Sequence, residues 1–491
     1  MARTEGTLAA LTRELATLEA EIAARGATML AGWRTRLDRP DFLPAAENLT
    51  HYLALRSGDR TALQRRLRAH GLSSLGRSEG HVMATLRAVR ATAEGRDPEP
   101  ESLAAQTAAH DRLDAAASAL FGPQPATRRS RIMPTLSPGT ALEPRIMADI
   151  VAAGADLVRI NCAHDDAETW AAMAAAARRA AAEAGRRLRL YMDLAGPKIR
   201  TAGVRPKPGV RVRAGDRVFL RAAADGPDPA DAAAARATCG CTLPEAVAQI
   251  EAGGAVAFDD GKIAGTVAER VEAGLWIAVE RAKPGGARLK PDKGINFPGA
   301  ALAVSPLTAA DRAALDAAAG LADMIGYSFV QRPGDLDALH AELDARGARP
   351  GVIAKIETET AFRNLPELIV AGAGWGPFGV MIARGDLGVE IGFPRLSEVQ
   401  EEILWLCEAA QVPVVWATEV LASLVKNGMA ARGEFTDAAM GARAECVMLN
   451  KGPYLAEGVR VLGDVLRRAE RHIDKKTPQL PRLASWEAAL G

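Results

Sequence analysis

The chain has 491 residues, which is long enough for two or three domains, and its net charge is +1. This balance gives no support for nucleic acid or an anionic membrane as a partner. The N-terminus has no apolar signal core, and no apolar run is long enough to span a bilayer. The five cysteines are scattered along the chain, and we interpret them as ordinary reduced thiols. We therefore expect a soluble cytoplasmic protein.

Residues 1–125 are predicted to form a helical accessory domain. Leucines and an isoleucine between Leu8 and Ile22 alternate in spacings of three and four residues, which is typical of a helix that packs on another helix. Further helical stretches follow at 62–69, 80–93 and 103–120. A proline-rich segment then ends the region, and we interpret the basic cluster at 128–131 as a solvated linker. These residues do not indicate what the domain does.

From residue 131 onwards, short apolar segments alternate with helical patterns. Eight such units in succession predict an α/β fold of the (β/α)8 TIM-barrel type, with the active site at the carboxyl ends of the strands. The barrel is expected to comprise residues 126–202 and 299–475. The predicted strands are 132–136, 156–160, 188–193, 323–328, 352–357, 380–384, 412–418 and 446–450.

The segment 203–298 interrupts this alternation. It contains several short strand-like segments separated by turn residues, which predicts a small β-rich domain inserted in a barrel loop. At the mouth of the barrel, such a domain is placed to act as a lid that excludes water. Residues 476–491 are expected to form a C-terminal tail.

Two of the predicted strands end in charged residues. Lys355 and Glu357 share one strand face, and Arg384 and Asp386 are predicted to share another, because side chains alternate along a strand. Buried charge is costly unless it is paired or holds a metal. Structural salt bridges are one interpretation. We favour a metal and anion site, with Glu357 and Asp386 as oxygen ligands beside the cationic Lys355.

Several segments, taken in order and around an inserted domain, resemble the pyruvate kinase family from about residue 130 to about residue 474. They are Arg-Ile-Asn-Cys-Ala-His at 159–164, Gly-Pro-Lys-Ile-Arg-Thr at 196–201, Asp-Asp-Gly-Lys-Ile at 259–263, Lys-Gly-Ile-Asn-Phe-Pro-Gly at 293–299, Ala-Lys-Ile-Glu at 354–357, Ala-Arg-Gly-Asp-Leu-Gly-Val-Glu at 383–390 and Ala-Thr at 417–418.

The resemblance implies phosphoryl transfer from phosphoenolpyruvate to ADP, through an enolate of pyruvate. It implies that Glu357 and Asp386 hold Mg²⁺ (or Mn²⁺) and that Lys355 lies against the transferring phosphoryl group. The backbone N–H groups of Gly385 and Asp386 would receive the substrate carboxylate. Thr418 would bind the substrate and help to route a proton to the enolate carbon.

The same resemblance assigns residues to the two phosphate-bearing substrates. Arg159 and Arg200 would face the phosphates, with Arg159 also counted among the catalytic residues. Asn161, His164 and Lys293 would lie on the ADP/ATP side, as would Arg200.

The use of K⁺ is a separate prediction from the resemblance. Family members that need K⁺ bind it with residues that match Asn161, Asp193, the carbonyl of Leu194 and a serine where this chain has Ala163. Members without the requirement tend to carry lysine at the position of Lys198. A fixed ammonium group supplies the charge that K⁺ would bring, so we expect activity without K⁺.

The chain also departs from the family pattern, chiefly on the acceptor side of the site and in subunit-contact helices. The segment 446–453 ends in Lys451-Gly-Pro, and the family's C-terminal effector domain has no counterpart in the sequence, so effector control from such a domain is not expected. A homo-oligomer remains compatible with the resemblance. Two alternatives stay open: a Mg²⁺-dependent lyase that releases pyruvate through an enolate, and a catalytically silent regulatory protein.

Overall fold

The computed structural model describes residues 7–206, 210–300 and 302–478. Within these ranges, no helix has the length and apolar character needed to cross a membrane. The N-terminal region is helical, as the leucine spacing predicts. Its helices are α1 (Leu8–Trp33), α2 (Leu43–Arg56), α3 (Thr61–Ala69), α4 (Val82–Ala93) and α5 (Pro100–Phe121).

The first three strands of the barrel come next, together with the helices that connect them. These elements are β1 (Arg131–Pro134), α6 (Pro138–Ala141), α7 (Pro144–Ala152), β2 (Leu157–Asn161), α8 (Ala167–Glu183) and β3 (Arg189–Asp193).

Between β3 and the next barrel strand, the chain forms a second sheet. Its elements are β4 (Thr201–Pro206), β5 (Arg217–Arg221), β6 (Ala237–Cys241), α9 (Pro244–Val247), β7 (Ala255–Phe258), β8 (Ile263–Val271), β9 (Gly274–Ala282) and β10 (Ile295–Asn296). The sheet has seven strands in the order β10-β7-β8-β9-β5-β6-β4. It has an apolar core of its own, in which Val218, Phe258 and Ile277 are almost fully buried. The predicted β-rich character of this segment is therefore present.

The remaining strands complete the barrel. The elements are α10 (Ala309–Leu321), β11 (Met324–Tyr327), α11 (Pro333–Ala345), β12 (Gly351–Ile356), α12 (Glu359–Arg363), α13 (Leu365–Trp375), β13 (Phe378–Ala383), α14 (Arg384–Ile391), α15 (Phe393–Ala409), β14 (Val414–Ala417), α16 (Ala422–Asn427), α17 (Arg432–Met440), β15 (Cys446–Leu449), α18 (Leu455–Ala469), β16 (Ile473–Asp474) and β17 (Thr477–Pro478).

Eight parallel strands form the barrel sheet, in the order β1-β15-β14-β13-β12-β11-β3-β2. A parallel bridge between Thr135 and Arg159 joins the two end strands, so the ring is nearly closed. Each predicted strand coincides with an observed one to within a few residues, and the predicted TIM-barrel fold is confirmed.

The C-terminal end of α5 closes the floor of the barrel. Leu120 and Phe121 are each 1% exposed and pack with the residues that fill the barrel interior. Leu120 fits because Gly351 and Gly379, near the starts of β12 and β13, have no side chains: a Cβ on either glycine would lie 2.4 or 2.6 Å from a Leu120 methyl carbon. The N-terminal helices are thus packed into the barrel rather than appended to it.

We expect Leu120→Ala to lower the free energy of unfolding by about 2–5 kcal/mol, because the floor of the barrel cannot collapse fully around the missing atoms. Urea denaturation of the full chain measures this change. Leu103, on the same helix, is 54% exposed, so Leu103→Ala is the matched control and should be nearly neutral. Equal effects of the two substitutions would contradict the packing of α5 described above.

Two sequence interpretations were wrong. The basic cluster at 128–131 is not a solvated linker, since Arg128 and Arg131 are 8% and 2% exposed. Arg128 is buried because it pairs with Asp156 at 2.7 Å, and Arg131 because it donates to the carbonyl of Gly122 at 3.0 Å. Arg384 does not lie on a strand face with Asp386 either, because β13 ends at Ala383 and α14 begins at Arg384.

Candidate active site

Polar side chains gather at the carboxyl ends of the barrel strands, around Asp193 at the end of β3. This carboxylate is 1% exposed, and its Oδ2 accepts from Arg159 at 2.6 Å. Its Oδ1 lies 3.5 Å from Lys355 Nζ and accepts from the hydroxyl of Tyr191 at 3.2 Å. Burial alone would raise the pKa of Asp193, but Lys355 and Arg159 outweigh burial and hold the pKa below its usual value.

A glycine on the neighbouring strand makes room for this cluster. A Cβ on Gly326 would lie 2.0 Å from the Tyr191 hydroxyl oxygen and 2.5 Å from Asp193 Oδ1. Any larger residue at this point of β11 would displace both groups. The absence of a side chain at Gly326 is therefore a condition for the buried charge network.

Lys355 on β12 connects Asp193 to the next carboxylate. Its Nζ donates to Ser328 Oγ at 2.7 Å and lies 3.0 Å from Glu357 Oε1. Although burial opposes the charge, the carboxylates of Asp193 and Glu357 raise the pKa of Lys355 above its usual value. Lys355 is therefore an ammonium group that is charged at neutral pH and fixed at the mouth of the barrel.

Glu357 follows β12 and is 3% exposed. Its Oε2 accepts from the backbone N–H of Phe329 at 2.6 Å, where the chain has a left-handed φ of 56°. Burial raises the pKa of Glu357; Lys355 opposes this rise, and the nearby charge of Asp386 adds to it. Two carboxylates that disfavour each other's charge are stabilised by a cation placed between them.

Asp386 lies in the first turn of α14 and is bound by a second lysine. Lys198 Nζ donates to both carboxylate oxygens, at 2.9 and 3.0 Å. The Cε atom of Lys198 would be 3.4 Å from a Cβ on Gly294, just before β10 of the second sheet. Lys198 therefore contacts both α14, at the carboxyl end of the barrel, and the segment just before β10 of the second sheet.

The carboxylates suit a divalent cation that completes its coordination with substrate. Within the described ranges, no three or more His, Cys, Asp or Glu side chains form a group that could hold a metal. Mg²⁺ is commonly bound through one or two carboxylates together with substrate oxygens and water rather than by an all-protein cage. The pair Glu357 and Asp386 fits that mode of binding.

Thr418 follows β14 in a strained backbone conformation. Its φ is 72°, and Glu419 and Leu421 also have positive φ, at 62° and 47°. Such conformations cost about 1–3 kcal/mol each and cluster at functional sites. The Thr418 Cγ2 atom would be 2.8 Å from a Cβ on Gly385, so the threonine side chain packs directly against the start of α14.

Arg384 fixes the position of this strained turn. Its guanidinium group donates to the carbonyls of Ala417 at 2.8 Å and Thr418 at 2.5 Å. The group is paired with Asp437 and lies 4.4 Å from the centre of the Trp416 ring. The residue predicted on a strand face therefore acts as a brace between α14 and the end of β14.

The residues expected on the nucleotide side form a separate, more exposed group. Arg200 Nη1 lies 3.4 Å from Asp292, and Lys293 Nζ lies 3.7 Å from Asp259. The side-chain Oδ1 of Asn161 accepts from the backbone N–H of Ala163 at 3.1 Å. In the part of the chain that is described, none of these side chains is bonded to Asp193, Lys355 or Glu357.

His164 lies near two cations on this outer side. Burial lowers its pKa, and the charges of Lys451 and Arg200 lower the pKa further. Lys451 was not among the residues selected from the sequence, because it stands where the family pattern is altered. Tyr191 was also missed, although its position two residues before Asp193 places both side chains on one strand face.

The barrel, with buried carboxylates and ammonium groups at the carboxyl ends of its strands, has the organisation of a (β/α)8 enzyme. The pyruvate kinase barrel domain matches residues 127–459. The chain is 32% identical over 371 residues to a pyruvate kinase of Aeropyrum pernix, covering 74% of this chain and 76% of the relative.

Other relatives give the same result. A pyruvate kinase of Methylorubrum extorquens is 33% identical over 356 residues, covering 70% of this chain and 69% of that protein. One from Mycobacterium tuberculosis is 30% identical over 367 residues, covering 72% of this chain and 74% of that protein. The chain belongs to the pyruvate kinase family, whose members are phosphotransferases of the kinase class. The resemblance inferred from the sequence is confirmed.

Proposed function

We propose that this enzyme transfers the phosphoryl group of phosphoenolpyruvate to ADP and forms ATP and pyruvate through the enolate of pyruvate. One observation carries the proposal: Lys355 is held as a buried cation between Asp193 and Glu357, and Glu357 in turn interacts with the charge of Asp386. A donor and an acceptor that are both multiply anionic need such fixed positive charge at the point of transfer.

Glu357 and Asp386 are the residues that would hold Mg²⁺ or Mn²⁺. When bound there, the ion supplies positive charge to the substrate carboxylate and to the oxygen on which the enolate charge develops. In this proposal Lys355 carries out the complementary task on the protein side, with the bridging oxygen between carbon and phosphorus bound against its Nζ. As the bond to phosphorus breaks, the ammonium group stabilises the negative charge left on that oxygen.

Two further elements position the substrate. Arg159, held by Asp193, donates to the phosphoryl oxygens, and the backbone N–H groups of Gly385 and Asp386 at the start of α14 bind the carboxylate. The anionic substrate is thereby fixed at both ends, with its reacting oxygen against Lys355. Fixing the reactants in this way lowers the entropic part of the barrier.

The enolate must then gain a proton on its methylene carbon. In our proposal the hydroxyl of Thr418, whose methyl group packs against Gly385, passes this proton to the carbon and recovers one from solvent. Pyruvate forms as the carbon–oxygen double bond is restored. The strained turn at Thr418 positions this hydroxyl at the end of β14.

The acceptor ADP is assigned to the outer group of Asn161, His164, Arg200 and Lys293. The segment 203–298 acts in this proposal as a lid that excludes water during transfer. Its root is tied to the site through Lys198 and Gly294. A cytoplasmic location agrees with the five unpaired cysteines of the described structure.

Lys451 is expected to contribute to ADP binding, because its charge reaches His164 and Arg200 belongs to the same cluster. Lys451→Ala should raise the KM for ADP about tenfold and leave the KM for phosphoenolpyruvate unchanged, since one charge-assisted contact to a phosphate is lost. Steady-state kinetics with each substrate varied in turn measures both constants. Lys426→Ala, which removes an exposed lysine of α16, is the control. A rise in the KM for phosphoenolpyruvate alone would contradict the assignment.

Activity is expected to be independent of K⁺, because Lys198 already provides a fixed ammonium group beside Asp386. Replacing K⁺ by tetramethylammonium at constant ionic strength should leave the rate unchanged. Lys198→Glu should lower the rate in tetramethylammonium and regain part of it on addition of K⁺. A strict K⁺ requirement of the unsubstituted enzyme would show that Lys198 does not take the place of the ion.

The function is tested by mixing purified protein with Mg²⁺, phosphoenolpyruvate and ADP and measuring ATP and pyruvate together. The proposal requires the two products in equal amounts. Pyruvate formed from another precursor without ATP would instead identify a lyase. No turnover, together with identical behaviour of Lys355→Met and the unsubstituted protein, would identify a silent barrel.

A further inference from the structure

A cavity of about 530 Å³ lies where the N-terminal helices meet the barrel. The end of α2, the start of α3 and the turn between them line it, together with residues of the segment 75–79, Trp405 of α15 and Lys476 in the short connection between β16 and β17. Its volume is in the range of small-molecule sites, about 300–1,000 Å³. No residue assigned above to phosphoryl transfer lines this cavity.

Two cations converge on one aromatic ring inside the cavity. The guanidinium carbon of Arg56 and the Nζ of Lys476 each lie 5.1 Å from the centre of the Trp405 ring. Arg56 also donates to the hydroxyl of Tyr52 at 2.7 Å. The ring attracts both cations, but the like charges repel each other.

Three cations, Arg56, Arg60 and Lys476, line the cavity together with two carboxylates, Asp59 and Glu79, so its positive charge is only partly balanced. Lys476 pairs with the buried Glu79, and Arg60, a third cation in the wall, lies 3.9 Å from Glu21. Arg56 has no carboxylate within 4 Å anywhere in the described chain; its partners are the Tyr52 hydroxyl and the two rings. An anion beside Arg56 and Lys476 would relieve the repulsion between them.

The wall also contains polar atoms without partners. Glu79 is 3% exposed, and its Oε2 makes no hydrogen bond in the described structure; the same is true of Trp405 Nε1. Leaving buried polar atoms unpaired is unfavourable, so these two atoms are available to a hydrogen-bonding partner from a water molecule or a ligand. A ligand with hydroxyl groups can both donate to the carboxylate and accept from the indole.

We propose that this cavity binds a small hydroxylated organic anion, with its acid group between Arg56 and Lys476 beside Trp405 and its hydroxyl groups towards Glu79. The acid group is a carboxylate or a phosphate, since either oxyanion pairs with a guanidinium fork. Such a ligand touches the helical region and the barrel at once. It therefore binds only when the two are packed together, and it stabilises the folded chain by mass action.

Two probes distinguish the sources of the acid group: citrate for a hydroxylated carboxylate and glycerol 3-phosphate for a hydroxylated phosphate. Calorimetric titration of the full chain at constant ionic strength should detect one bound molecule of at least one probe, and the same probe should raise Tm. Arg56→Gln and Lys476→Gln should each weaken binding about tenfold. Arg68→Gln, which removes an exposed arginine of α3, should not.

The phosphoryl-transfer site could itself take up these anions, and Lys355→Met separates the two places. Binding that survives Lys355→Met and is lost in Arg56→Gln supports the cavity, whether or not the enzyme is active with phosphoenolpyruvate. If Arg56→Gln does not fold, Arg56→Lys, which keeps the charge but loses the planar fork, should still weaken binding. Absence of binding by both probes, equal binding by Arg56→Gln and Arg68→Gln, or loss of binding in a Lys355→Met variant that circular dichroism shows to be folded would overturn the proposal.

Discussion

Replacing Lys355 by methionine should lower kcat about a hundred- to a thousandfold, which is the scale of effect seen when a charge-stabilising group is removed from the reacting oxygen. Methionine has nearly the same length as lysine but cannot neutralise the developing enolate. The KM for phosphoenolpyruvate should change much less than kcat, because the charge on the bridging oxygen appears mainly in the transition state. Steady-state kinetics over both substrates measures the two effects.

The substitution also removes a cation from between two buried carboxylates, so folding must be checked separately. Losing one partner of a buried pair costs about 3–5 kcal/mol. Circular dichroism and urea unfolding of Lys355→Met distinguish a folded but inactive enzyme from an unfolded one. A folded variant that retains more than about a tenth of the activity would show that Lys355 takes no part in the chemical step. A tenfold loss of rate raises the activation free energy by only about 1.4 kcal/mol.

Glu357→Gln should raise the Mg²⁺ concentration for half-maximal activity at least about tenfold. Even substitutions of the groups that only support a metal ligand typically lower the metal affinity about 10–100-fold. The amide keeps the shape and can still accept from the backbone N–H of Phe329. The substitution removes the electrostatic repulsion between the carboxylates at positions 357 and 386, so the fold should tolerate the change. The activity of the variant is measured against Mg²⁺ at saturating substrate.

Glu359 provides the matched control for this prediction. It lies two residues further along the chain, is paired with Arg363 on the outside of α12, and has a partly exposed side chain. Glu359→Gln should leave the Mg²⁺ dependence unchanged. If the two variants respond alike, the carboxylate of Glu357 does not hold the ion.

Sequence periodicity located the barrel strands because each one is a short, mostly buried and mostly apolar run between helical stretches. The boundary at Arg384 was placed wrongly for a physical reason: after Ala383 the apolar run stops, and periodicity alone does not show where the backbone turns into a helix. The difference matters, because a helix start presents free N–H groups at Gly385 and Asp386, whereas a strand does not.

The sequence predicts which residues form the candidate site, but not which of them form hydrogen bonds and ion pairs with one another. Nothing in the sequence shows that Asp193 is shared by Arg159, Lys355 and Tyr191, because these contacts depend on strand register and on the space left by Gly326. The same holds for Lys198, whose partner Asp386 is 188 positions away in the chain. Contacts between side chains on different strands form only when the strands close into the barrel.

In the N-terminal region, too, the sequence predicts the helices but not their contacts with the barrel. Leucine spacing predicts its helices, yet the end of α5 closes the barrel floor only because two glycines in distant strands leave space for Leu120. The buried arginines at 128 and 131 were misread because a basic cluster is usually solvated, and their carboxylate and carbonyl partners are not visible in the local sequence.

We propose that Glu357 and Asp386 together hold a divalent cation beside Lys355. Electron paramagnetic resonance of Mn²⁺ measures free ion directly as the full chain is titrated in the presence of phosphoenolpyruvate. One bound Mn²⁺ per chain is expected, with binding lost in both Glu357→Gln and Asp386→Asn and retained in Glu359→Gln. Unchanged Mn²⁺ binding in the two carboxylate variants would contradict the account.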